Sequence, residues 1–219
     1  MGSAVLTVLL WEVPYGRWIG YPLFLLSTVA HELGHGITAL VLGGDFVALL
    51  MWPDGSGVAH WRGAFGRPGT ALVAAGGLVG PAVAASLLFL AGSRADRARA
   101  SLATLGALFL VVTLLFARTV FGFLFILFLG LLCLGVALRG SAETAQIVVL
   151  FLGVQLALAV FSRSDYLFTA EAVTANGRAP SDVAVMAQAL WLPFWFWGLA
   201  CAVLSLLVLG WGLGRVWNR

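Results

Sequence analysis

"TVAHELGHGITALVLGG", Thr28 to Gly44, sets two histidines and a glutamate inside a run that otherwise reads as a membrane-spanning helix. The apolar stretch reaches back to about Trp18, and a hydrocarbon core about 30 Å thick needs roughly 20 residues of helix. On a helix, residues four apart share a face, so His31 and His35 can turn their imidazoles toward one point. Ionisable groups at membrane depth are costly and mark function by default. The pattern His-Glu-x-x-His has a chemical reading as a zinc site. Zinc takes imidazole nitrogens at about 2.0–2.1 Å, normally with a third protein ligand, and leaves one position for water. Zinc brings the pKa of that water to near 7, and Glu32, beside the first histidine, can accept its proton. The plainer reading makes these side chains polar glue between helices. Three of them within about one turn need a common partner, which a metal supplies.

The rest of the chain agrees with a membrane setting. Of 219 residues, 62% are hydrophobic and 10% charged, well below the roughly 25% charged residues of soluble domains. The composition predicts an all-α polytopic membrane protein forming a single domain over residues 1–219. Six segments approach spanning length: Trp18–Leu42, Thr70–Ala91, Ala100–Phe116, Thr119–Leu138, Thr144–Phe161 and Ala187–Leu213. Val5 to Leu10 is too short to span alone, and no basic residue precedes it, so a cleaved signal peptide is not expected. Between the first and second spans, Pro53, Asp54, Gly55 and Gly57 supply turn chemistry between two β-compatible runs, predicting a short β-hairpin within Asp45–Gly63. The third and fourth spans are separated only by Ala117, Arg118 and Thr119, which predicts a tight helical hairpin. Cys133 and Cys201 read as buried hydrophobes, not as a disulfide. All twelve basic residues are arginine. A dispersed net charge of +3 gives no footprint for nucleic acid. Seven arginines fall on one side of the six spans and five on the other, which favours the first side as cytoplasmic.

A third metal ligand has four candidates. Asp54 sits in a turn sequence, and His60 lies on the second arm of the hairpin. Asp165 follows the fifth span, and Asp182 precedes the sixth. Ser181 and Asp182 also read as an ordinary helix start, the serine capping and the carboxylate favoured by the helix dipole. His35 lies roughly 12 Å inside the end of its helix, so either late aspartate must dip inward to reach it. Spacing alone leaves the choice open. Gly76, Gly80 and Ala84 recur every four residues on the second span and permit close approach of a neighbouring helix. Ala30 and Gly34 on the first span make that helix the expected neighbour.

These residues carry a family likeness. The chain resembles the site-2 protease family of intramembrane zinc metallopeptidases, in particular its small bacterial branch without extra domains, from about Trp18 to Leu213. "HELGHGITALVLGG" is similar to the branch's first motif, "PDGSGVAHWRG" to its hairpin and "AAGGLVGPAVAA" to its glycine-rich motif. "ARTVFGFLF" resembles an Arg-Asn-x-x-Gly motif, and "APSDVAVMAQALWLP" a Ser-Asp motif that opens the last span. Thr119 stands where the branch has Asn, and Leu78 where it often has Tyr. The resemblance implies that His31, His35 and Asp182 hold Zn2+, with Glu32 as general base. It implies a zinc metalloendopeptidase cutting a membrane-anchored protein substrate within the lipid bilayer, as a multi-pass protein of a bacterial plasma membrane.

Two other functions compete. A non-catalytic membrane scaffold or regulatory subunit would retain the fold, but it has no need of a base at Glu32. A transporter could use buried His and Asp, but no inverted repeat or pair of broken helices is visible in the sequence.

Overall fold

The structure of the chain is a computed structural model that describes residues 16–162 and 164–217. The Val5–Leu10 run and the question of its insertion lie outside the described residues. Seven helices and two β-hairpins follow in order: α1 (Gly16–Val41), β1 (Asp45–Met51), β2 (Gly57–Arg62), α2 (Gly66–Gly92), α3 (Ala95–Leu115), α4 (Val120–Arg139) and α5 (Ala142–Ser162). A 3-10 turn (Ser164–Phe168), β3 (Glu171–Thr174), β4 (Gly177–Pro180), α6 (Asp182–Leu190) and α7 (Phe194–Trp217) complete the chain. Six of the helices are long and apolar enough to cross a membrane. The exception is α6, at nine residues.

Small residues put α2 at the centre, where it packs on α1, α5, α6 and α7. A Cβ at Gly34 would stand 2.2 Å from the Gly76 carbonyl oxygen, and one at Gly80 would stand 3.0 Å from the Ala30 oxygen. The α1–α2 contact is therefore backbone against backbone, as the stripe of small residues predicts. Pro81 lies inside α2 without ending it. The interior holds Val29, Leu102, Ile126 and Val149, each fully buried. Val120, Leu124, Phe128 and Leu138 on α4 are exposed, as leucine- and phenylalanine-rich faces are toward lipid.

Helix α1 stops at Gly43, whose φ of 81° few other residues adopt, and the chain turns into the first hairpin. β1 and β2 pair antiparallel from Asp45–Arg62 to Met51–Gly57, with a register shift between Phe46 and Ala48. Thr28 Oγ1 donates to the Gly55 carbonyl at 2.8 Å, and the Tyr21 hydroxyl donates to the Pro53 carbonyl, so the loop is fastened to α1.

The α3–α4 turn clasps the other edge. Leu49 N–H donates to the Phe116 carbonyl at 2.7 Å, and Arg118 N–H donates to the Leu49 carbonyl at 3.1 Å. Thr119 Oγ1 accepts from Met51 N–H, donates to the Met51 carbonyl and accepts from Gly122 N–H at the start of α4. The threonine that replaces the expected asparagine is thus both helix cap and strand clamp.

The expected sixth span, Ala187–Leu213, is not continuous. The Trp191 backbone is left-handed (φ 60°) and Pro193 follows, so α6 ends and α7 starts afresh at Phe194. The second hairpin was not expected. Its Asn176-Gly177 pair is a strong turn signal inside a polar stretch.

Candidate metal centre

The described His, Cys, Asp and Glu residues give one group able to share an ion: His31, His35 and Asp182. The two histidines lie one turn apart on α1, with Nε2 atoms 3.3 Å apart. Asp182 opens α6, its Oδ2 at 3.0 Å from His31 Nε2 and its Oδ1 at 3.3 Å from His35 Nε2. Ligands 2.0–2.1 Å from a tetrahedral centre stand about 3.3 Å from one another. The imidazole pair fits that spacing, and with one oxygen taken from Asp182 the three donor atoms lie within 4.8 Å of one another. Asp182 Oδ2 is buried and makes no well-aligned hydrogen bond despite its proximity to the imidazole. A buried carboxylate oxygen in that state has the donor chemistry that a cation would satisfy.

Each group is held from outside the trio. His35 Nδ1 lies 2.8 Å from the Val73 carbonyl and donates to it, and Nε2 faces His31 and Asp182. Gly77 leaves room for that ring: a Cβ there would lie 2.2 Å from Nε2. His31 meets Tyr166 edge-on, the ring centroids 5.9 Å apart.

Asp182 is delivered by the chain that leaves α5 and folds back. Ser181 N–H donates to the Ala170 carbonyl at 3.1 Å, and its hydroxyl donates to the Thr169 carbonyl at 2.5 Å while accepting from Ala184 N–H. Val183 and Met186 anchor α6 against Leu78 and Val79 of α2 and Cys201 of α7. Ser181 is therefore the cap that the sequence suggests, and the residue after it still reaches the histidines.

Glu32 is buried at 5% exposure and turns toward the hairpin. A Cβ at Gly57 would come 2.9 Å from its Oε1, so glycine at the start of β2 makes space for the carboxylate. The other candidates lie elsewhere. Asp54 Oδ1 accepts from the Ser56 N–H and hydroxyl, as a turn residue does. His60 is exposed on β2. The Arg118 guanidinium donates to the Leu115 and Ala117 carbonyls, closing the end of α3. Asp165 lies in the 3-10 turn, and its side chain is outside the described residues. Sequence reasoning missed the Val73 carbonyl, Gly77 and Tyr166; only Gly77, inside a glycine pair, left a visible sign.

The Peptidase M50B-like family model matches residues 2–212, nearly the whole chain. The chain belongs to this family, that of the site-2 proteases. No curated protein and no solved structure matches it. Membership in an intramembrane protease family and six apolar spans make the chain a multi-pass membrane protein. The M50 peptidases are zinc metalloproteases, and the His31, His35 and Asp182 donor set suits that metal.

Proposed function

We propose that this member of the M50B-like family is a zinc-dependent intramembrane endopeptidase, hydrolysing a peptide bond within or near a transmembrane segment of a membrane-anchored protein in a bacterial plasma membrane. One observation carries the reading: two imidazole nitrogens and a carboxylate converge with edges of 3.0–3.3 Å, next to a buried glutamate. His31, His35 and Asp182 would hold the ion. When bound, zinc supplies a polarising centre that brings the pKa of water to about 7.

The chain's own residues do the remainder. Glu32 takes the proton of the attacking water on a carboxylate oxygen and returns it to the leaving amine nitrogen as the C–N bond breaks. The Val73 carbonyl keeps the His35 proton on Nδ1, so that Nε2 stays free for the metal. Helical substrate hides its peptide bonds in its own hydrogen bonds and must unwind. The edge of β2 away from β1 pairs with no other strand among the described residues, and it begins at Gly57, against Glu32. That edge suits an unwound segment, which would add to the sheet as another strand.

The test is zinc content of purified protein, followed by cleavage of a membrane-anchored reporter reconstituted in vesicles. About one zinc per chain is expected in the parent and in Glu32→Gln, with loss in His35→Ala and Asp182→Asn. Cleavage is expected in the parent alone. A parent without zinc after resupply overturns the hydrolytic reading, and cleavage by Glu32→Gln removes the glutamate from it.

A further inference from the structure

A second feature is lined by none of the three metal-centre residues. An open groove of about 630 Å³ runs along α2 between α1 and α3. Its floor is one face of α2, from Leu72 to Ala91, about 28 Å of helix at 1.5 Å per residue. Leu72, Val83 and Leu87 on the floor and Ile37 and Leu108 on the walls are 40–59% exposed, so no part of the described chain covers them. α3 turns its packing toward α4 and α5 and leaves this face of α2 open.

Apolar side chains line the groove almost throughout, a surface that suits hydrocarbon.

Chemistry changes along the α3 wall. Leu108 and Leu105 are apolar, Thr104 and Ser101 carry hydroxyls, and Arg97 follows one turn nearer the start of the helix on the same stripe. Arg94 stands at the N-cap three residues earlier. Both arginines are exposed, and neither makes a salt bridge among the described residues. Arg99, Arg139 and Arg215 belong to the same side of the bundle, by the order of the helices. From Leu108 to Arg94 the wall therefore passes from hydrocarbon to hydroxyl to cation. A glycerophospholipid passes from acyl chain to ester to phosphate in the same order.

We infer that this groove binds an acidic glycerophospholipid, one acyl chain lying along α2 and the headgroup phosphate held by Arg94 and Arg97. The anionic headgroup is selected because two unpaired guanidiniums at a membrane surface attract negative lipid. The site is independent of the metal centre, and none of the residues substituted below belongs to that centre.

Native mass spectrometry of the full chain, titrated with dioleoyl phosphatidylglycerol or dioleoyl phosphatidylcholine, tests it. Each arginine near an anionic surface is worth about fivefold, so Arg94→Gln with Arg97→Gln lowers phosphatidylglycerol affinity by about 25-fold. Phosphatidylcholine binds weakly and is insensitive to the pair. Val83→Trp, which fills the groove at an exposed position, weakens both lipids, while unchanged melting shows that each variant is folded. Equal affinity for the two lipids, or indifference to both arginines, overturns the proposal. So does efficient Leu108→Cys cross-linking between two copies in membranes, which would give the groove to a second chain.

Discussion

Gly77→Ala separates the metal centre from the fold that carries it. An alanine Cβ at this position falls 2.2 Å from His35 Cε1 and Nε2 and 2.7 Å from Cδ2, whereas ordinary contact begins at 3.4 Å. The ring must retreat by about 1.2 Å, several times the roughly 0.2 Å that zinc–ligand distances tolerate. Retreat also pulls Nδ1 off the Val73 carbonyl, the bond that fixes the tautomer. Disturbing such an outer partner alone lowers metal affinity by 10–100-fold, so a displaced ligand should cost about 100-fold or more. Helix α2 itself has no reason to fail, since alanine is the better helix former by about 1 kcal/mol. The assay is competitive zinc titration beside circular dichroism and melting in the same detergent. Gly135→Ala, whose Cβ meets nothing within 4 Å, is the control. Parent-like zinc affinity in Gly77→Ala would refute the claim that His35 sits where a ligand must.

Other substitutions reach the site through its supports. Thr119→Val removes the cap of α4 and leaves the backbone of buried Met51 without its partner, so it costs about 2–3 kcal/mol in denaturant titration, while Thr119→Asn keeps most of that. Ser181→Ala frees the first turn of α6, costing about 1 kcal/mol of stability and at least about tenfold in zinc affinity, because Asp182 is the next residue. Chelation abolishes reporter cleavage and zinc restores it. Added zinc at 100 times its dissociation constant also raises the unfolding free energy by about 2.7 kcal/mol, visible as an upward shift in melting.

The parts of the fold set by solvent preference were legible in the sequence. All six spans could be counted from apolar length alone, because lipid demands it, and the first hairpin from the Pro53–Gly57 turn chemistry. The start of the last span falls later than expected because hydropathy runs straight through Trp191 and Leu192. Only the Pro193 ring, which disfavours helix in the residue before it, betrays the break.

At the site, His31, Glu32 and His35 declare themselves by local spacing. Asp182 does not, for its position depends on a polar segment folding back toward the bilayer, which no local pattern encodes. The Val73 carbonyl is invisible in principle, since every residue has one.

Nearly 150 residues separate His35 from Asp182, and the intervening chain contributes four helices before the last donor arrives. During synthesis the imidazoles would be in the membrane well before their carboxylate partner. A growing chain would carry the first hairpin and Glu32, yet lack the completed donor set. In the proposed protease, the fold-back that brings Asp182 to the histidines would complete the donor set only after α5 has been made.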